Sequence, residues 1–183
     1  MTVTNQQYDR AIESCKEIFI KKTKDYGTSW RVLRTISIAD QIQIKAKRIR
    51  NIQENKMQKV KDDIPSEFKG ILNYAVIGLI QYALKTDEVG DVQVDVVDKF
   101  YDEKIAEART LMENKNHDYG EAWRGMSQES FTDLILSKVL RIKQILLNKE
   151  TTLISEGIEA NYHDMINYAA FALIMITEGK HKS

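Results

Sequence analysis

The sequence has little of what breaks a helix or staples a small fold. Its 183 residues include one proline, Pro65, and eight glycines, so long uninterrupted helices meet few obstacles. The single Cys15 excludes an intramolecular disulfide and a cysteine-ligated zinc site, a usage that suits a reducing cytoplasm, where the protein is expected. An excess of one charge is missing too, with 27 Lys and Arg against 27 Asp and Glu. No net positive field exists to collect bulk nucleic acid, so affinity for phosphate must come from local clusters. The longest mostly apolar stretch, Ile71 to Leu84, is interrupted by Asn73 and Gln81 and falls short of the about 20 residues that span a bilayer. No membrane partner is expected. Met1 to Gln7 are polar and hold no apolar signal core, so export is not expected either. What remains is an ordinary globular composition, 43% hydrophobic and 30% charged, sufficient for one domain or two small halves sharing a core.

The chain repeats itself. Lys22-Thr-Lys-Asp25-Tyr26-Gly27-Thr-Ser-Trp30-Arg31 returns as Lys115-Asn-His-Asp118-Tyr119-Gly120-Glu-Ala-Trp123-Arg124, at an offset of 93 (119 − 26). The same register holds from Tyr8/Tyr101 and Ile12/Ile105 through Asp40/Asp133, Lys45/Lys138, Arg48/Arg141 and Ile52/Ile145. After one inserted residue, Asn73-Tyr74-Ala75 matches Asn167-Tyr168-Ala169. An ordered series on one register marks a tandem duplication. The expected units are residues 1–90 and 91–183, sharing one core.

Each unit reads as three helices, so the expected fold is all-α: a bundle of about six main helices in two pseudo-two-fold-related halves. Tyr8, Ile12, Cys15 and Phe19 form one apolar stripe, predicting a helix over about 4–22. Gly27 suits a left-handed cap that closes it, with a loop at Asp-Tyr-Gly. Ser37 is expected to cap the second helix, whose Ile38, Ile42, Ile49 and Ile52 share one side while Lys45, Lys47, Arg48 and Arg50 cover others. Pro65 opens the third, predicted to about Lys85 and apolar nearly all round. The second unit predicts helices over about 92–115, 130–148 and 155–177. The third and sixth should pack at the centre with Asn73 and Asn167 buried and partnered.

The polar residues present in both copies are the candidates for chemistry, since packing alone does not need them. Lys45 and Arg48, and Lys138 and Arg141, are i, i+3 neighbours on one helix face. Such pairs hold phosphate oxygens, or else form a solvated face of ion pairs. Tyr26, Trp30, Tyr119 and Trp123 admit two readings: anchors packing the loop, or rings stacking a nucleobase while Lys22, Lys115, Arg31 and Arg124 address phosphate. Asp25, Asp118, Asn73 and Asn167 belong to the same candidate set. On the sixth helix Glu156, Ala160, Asp164 and Asn167 lie on one stripe, with Glu159 and His163 as an adjacent i, i+4 pair. These acids are neutralised either by the lysines and arginines of the preceding helix or by an oxygen-ligated divalent cation. The first unit has Gly70 where the second has Asp164.

The series Lys-x-x-Asp-Tyr-Gly, Arg after the Trp, Asp-x-x-x-x-Lys-x-x-Arg, Glu-x-x-Glu and Asp-x-x-Asn-Tyr resembles the nucleotide-modification-associated domain family of phages and bacteria. Many bacterial members carry the unit twice, and the resemblance covers about Tyr8 to Ile176. More remotely it is similar to the all-α nucleotide pyrophosphatases of the MazG and dimeric dUTPase type, which hold Mg²⁺ on helix-borne acids. That resemblance implies Glu156, Glu159 and Asp164 as ligands of Mg²⁺, for which Mn²⁺ can substitute, and Lys138 and Arg141 on the phosphates. One departure is plain: an Asp is expected where Ala160 stands. Three functions stay open, namely a Mg²⁺-dependent nucleotide pyrophosphohydrolase or nucleotide-modification accessory protein, a non-catalytic nucleotide sensor, and a structural helical interaction protein. On the first of these the second half should carry the metal, with Lys138 and Arg141 facing Glu156 and Asp164 across one cleft. A small-molecule nucleotide is the expected partner. The duplication can replace a homodimer, and a further homodimer stays open.

Overall fold

A computed structural model describes residues 2–55, 63–84, 90–153 and 156–183. Six long helices account for most of them: α1 Val3–Tyr26, α2 Thr35–Asn55, α3 Ile64–Leu84, α4 Val94–Tyr119, α5 Gln128–Leu147 and α6 Ile158–Thr177. Single 3-10 turns, Ser29–Val32 and Ala122–Gly125, follow α1 and α4. Among the described residues no strand forms and no helix is long and apolar enough to cross a membrane.

The helix ends differ from the sequence expectation in an instructive way. α1 and α4 run on through Asp25-Tyr26 and Asp118-Tyr119, so these residues occupy the last helical turn rather than a loop. Gly27 (φ 62) and Gly120 (φ 60) close the helices, each donating its N–H to the carbonyl four residues back, Thr23 and Asn116. Both sit at positive φ, where a side chain would be strained. α2 begins at Thr35, two residues ahead of Ser37. The α5 cap is Ser127, whose hydroxyl accepts the Ser130 N–H at 3.1 Å. Asp63 accepts from the Ser66 N–H (2.9 Å) and hydroxyl (2.7 Å), fixing the start of α3 around Pro65. The expected helix ends at Lys85 and Ser155 lie outside the described residues.

α3 and α6 are the most apolar helices and pack against each other at the centre, as their continuous hydrophobic surfaces require. The approach is close: a Cβ on Gly78 would lie 2.5 Å from the Tyr162 ring. α2 lies on α3 and α5 on α6, while α2 also meets α5 across the two halves. The core joins both halves in one cluster.

The contacts between halves come in reciprocal pairs. Tyr8 of α1 donates to Asn167 Oδ1 on α6, and Tyr101 of α4 donates to Asn73 Oδ1 on α3, both at 2.8 Å. Each amide then donates to a carbonyl of its own half, Asn73 to Cys15 and Asn167 to Ala108, both at 3.0 Å. Lys16 pairs with Asp102 and Arg109 with Asp9. Arg50 pairs with Asp133 and Lys143 with Asp40. Residue i meets j′ and i′ meets j, which is the signature of a two-fold dimer interface, here contained within one chain.

Candidate functional site

Each half forms a cleft between its first and third helices, walled by the turn that follows the first. The first cleft, about 370 Å³, is lined by Lys22, Tyr26, Trp30, Lys45, Glu67, Lys69, Gly70 and Tyr74, with Asn73 beneath. The second, about 310 Å³, is lined by the equivalents Lys115, Tyr119, Trp123, Asp164, Asn167 and Tyr168. The clefts occupy matching positions, yet their charges are arranged differently.

In the first cleft the carboxylate is Glu67, buried and absent from the sequence-predicted set. It accepts from Lys45 Nζ at 3.2 Å and from Arg48. Among the described residues neither Lys22 nor Lys69 lies within ion-pair distance of a carboxylate. Gly70 leaves room that the Lys45 side chain fills: a Cβ there would stand 2.8 Å from Lys45 Cε and 3.1 Å from its Nζ. The lysine therefore lies across the glycine.

In the second cleft Asp164 takes that place. Its Oδ1 accepts from Lys115 Nζ at 2.7 Å and its Oδ2 from Lys138 Nζ at 2.6 Å. Burial opposes ionisation of Asp164, but the two lysine hydrogen bonds outweigh it and hold the carboxyl below its usual range. Burial likewise opposes the charge of Lys115, and the bond to Asp164 overcomes it and raises the ammonium above its usual value. His163, the equivalent of Lys69, is tied to Glu107 on α4 at 3.0 Å and does not pair with Glu159. Asn161 stands where the first half has Glu67, and its amide donates to Gly157 O at 2.8 Å. Lys138 lines a separate cavity with Arg141, Asn161 and Glu156. Sequence spacing thus brought Lys138 to Asp164, and Arg141 and Glu156 to a neighbouring cavity.

The acids inferred for Mg²⁺ do not gather. A divalent cation of that type needs several oxygen ligands around one point. Asp164 has both oxygens on ammonium groups, while Glu156 and Glu159 are exposed on a different turn of chain. Among the described residues no three carboxylate, imidazole or thiol groups converge. In this arrangement the donor set does not fit the ion.

The loop motif divides between cleft and scaffold. Tyr26 and Tyr119 line the clefts and are 71% and 74% exposed, so their rings are available. Trp123 stacks on Phe171 (centroids 4.2 Å apart, planes 4° apart), and its Nε1 donates to Asn116 Oδ1 at 3.0 Å. Trp30 packs on Phe19 at 6.4 Å. The tryptophans therefore anchor the turn and wall the cleft at once. Arg31 and Arg124 do not reach the clefts. Arg31 is buried and donates to Gln81, which in turn bonds the carbonyls of Arg31 and Leu33 at 2.9 and 3.0 Å. Arg124 lies 4.4 Å over the Trp123 ring and donates to Glu121, Glu178, Thr4 and Gln7. Asp25 and Asp118 are exposed outside both linings, Asp118 beside His117 at 3.0 Å. Asp91 pins the first turn, accepting from the Thr28 N–H at 2.7 Å and hydroxyl at 2.8 Å.

A signal for Glu67 was present in the sequence. It is a carboxylate inside an apolar helix, at the alignment position of Asn161 and three residues before Gly70. Tyr8 and Tyr101 also read as members of apolar stripes, although each carries the hydroxyl that a buried asparagine needs.

A family model described as nucleotide modification associated domain 1 covers residues 22–82 and again 115–176. No curated protein and no solved structure matches.

Proposed function

The chain belongs to the nucleotide modification associated domain 1 family, with the unit present twice, and from that premise we propose that it binds a nucleotide in the first-half cleft. Lys22, Lys45 and Lys69 address the phosphates, and the base lies against Tyr26, Trp30 or Tyr74. The observation that carries this reading is the lining itself: three lysines, one glutamate already held by Lys45 and Arg48, and four aromatic rings around one cavity. Ammonium groups without carboxylate partners attract phosphate, and ring faces accept any base. Its about 370 Å³ falls inside the range of about 300–1,000 Å³ typical of small-molecule sites.

The chemistry supported is recognition. Glu67 orients Lys45 and Arg48, and the pinned turn holds Trp30 at the wall. Metal-assisted hydrolysis would need oxygen ligands free to hold the ion that activates water, and Asp164, with both oxygens on lysines, is not free to do so. The test is a panel of nucleoside mono-, di- and triphosphates, each with Mg²⁺ and with EDTA, followed by melting temperature and chromatography. The expected result is a raised melting temperature in EDTA with the nucleotide recovered intact. Metal-dependent release of pyrophosphate would contradict the reading and favour a hydrolase.

A further inference from the structure

We infer that the ligand's anionic group sits over Gly70 beside Lys45 and Lys22, and that the second half has closed the equivalent seat with its own carboxylate, Asp164. The chain then takes one nucleotide, not two. This rests on the nucleotide reading above, although the seat can be tested with inorganic anions alone.

Pseudo-equivalence supplies the argument. Lys115 and Lys138 are the copies of Lys22 and Lys45, and between them lies a carboxylate with one oxygen on each ammonium group, at 2.7 and 2.6 Å. That is the geometry in which two lysines grip adjacent oxygens of a phosphate. Asp164 marks, inside the protein, where an external anion would sit in the other half. At that point the first half has Gly70, over which Lys45 lies, while Lys22 lines the same cleft without a carboxylate partner among the described residues.

Two further substitutions between the halves point the same way. His163 is tied to Glu107, but Lys69 has Ser14 where Glu107 would be, and Ser14 donates to Ala11 O at 2.8 Å instead. The first half also carries its acid one turn earlier, as Glu67, where it holds Lys45 and Arg48 without covering Gly70. Asn161 replaces that acid in the second half. The first cleft thus keeps Lys22 and Lys69 without a carboxylate partner among the described residues and Lys45 lying over Gly70, whereas in the second Asp164 neutralises both equivalent lysines from within.

The test exchanges the arrangements in the full-length chain. N161E/D164G gives the second half the acid position and the open glycine of the first. E67N/G70D does the converse. Each double change keeps one carboxylate beside the cleft lysines, so the net charge of the cleft is preserved. Equilibrium dialysis with labelled pyrophosphate and with a labelled nucleoside triphosphate, in EDTA, counts sites per chain. The expected counts are one for the parent, two for N161E/D164G and none for E67N/G70D. Lys22→Gln, at an exposed position, should weaken pyrophosphate binding on the order of tenfold without changing the melting temperature. A parent that binds two, a folded N161E/D164G that still binds one, or a Lys22→Gln of unchanged affinity would overturn the inference. If pyrophosphate follows the expected counts while nucleotides bind no better than pyrophosphate, the seat stands and the nucleotide reading falls. If neither probe binds the parent, both fall.

Discussion

At the scale of single residues, the polar groups common to both halves divide into those that hold the fold and those left for a ligand. Asn73 and Asn167 belong to the first kind, since both amide ends are used in buried hydrogen bonds. Removing one donor leaves a buried acceptor unpaired, which costs about 1–3 kcal/mol. Tyr8→Phe and Tyr101→Phe should each lower stability by that amount in urea titrations, and equally, because their environments are copies. Tyr162 has the opposite character: its hydroxyl is buried with no hydrogen-bond partner, and the aligned residue in the first half is Phe68. Tyr162→Phe should therefore be neutral or stabilising by up to about 1 kcal/mol, and a loss beyond 1 kcal/mol in the same titration would contradict it. Asp164 gives a pH signature. Its carboxyl is held low in the folded state by Lys115 and Lys138 against the cost of burial, so its contribution is present above the unfolded value of about 3.9. It is lost as pH falls through the lowered folded value. The stability difference between parent and Asp164→Asn should be constant from pH 6 to pH 8, where the carboxyl is ionised in both states, on the order of 1–3 kcal/mol, and should shrink at pH 3 and below. A difference that does not shrink in acid would contradict the pairing.

At the scale of elements, the repeat decides which helix meets which. The reciprocal ion pairs Arg50–Asp133 and Lys143–Asp40 lock α2 to α5. Reversing one of them, Asp40→Lys, should weaken the contact by about 0.5–1 kcal/mol, and adding Lys143→Asp should recover most of it. A double-mutant cycle in guanidinium-free urea, at low salt, would measure that coupling. Six helices and their two-fold grouping were legible because periodicity and the 93-residue register report burial directly. Helix ends were less so, for a physical reason. Asp-Tyr before Gly27 and Gly120 reads as a loop by composition, yet the left-handed glycine closes the helix only after those residues have completed its last turn. The serine nearest an apolar run is not always the cap either. Ser127, three residues ahead of Ser130, makes the capping hydrogen bond.

At the scale of the whole molecule, the two halves share one core, and neither central helix is covered without the other half. Calorimetry should therefore show one unfolding transition with matching calorimetric and van't Hoff enthalpies, while two separated transitions would show independent halves. Lys22, Lys45 and the rings of Tyr26, Trp30 and Tyr74 were legible in the sequence because they recur, whereas Lys69, whose equivalent is His163, was not. The inequivalence of the clefts was less legible, since it depends on where each half places its acid: Glu67 in one, Asp164 in the other, one turn apart on matching helices. Arg31 and Arg124 looked like phosphate ligands by type, but the side chains of Gln81 and of Glu121, Glu178, Thr4 and Gln7 hold them to the scaffold. The two tryptophans are one to each cleft, which allows the central claim to be read optically. In Trp123→Phe the emission reports the first cleft alone, and in Trp30→Phe the second alone. Titrating a nucleoside triphosphate in EDTA should quench or shift the Trp30 signal saturably and leave the Trp123 signal unchanged. A saturable response from Trp123 with none from Trp30 would contradict the account.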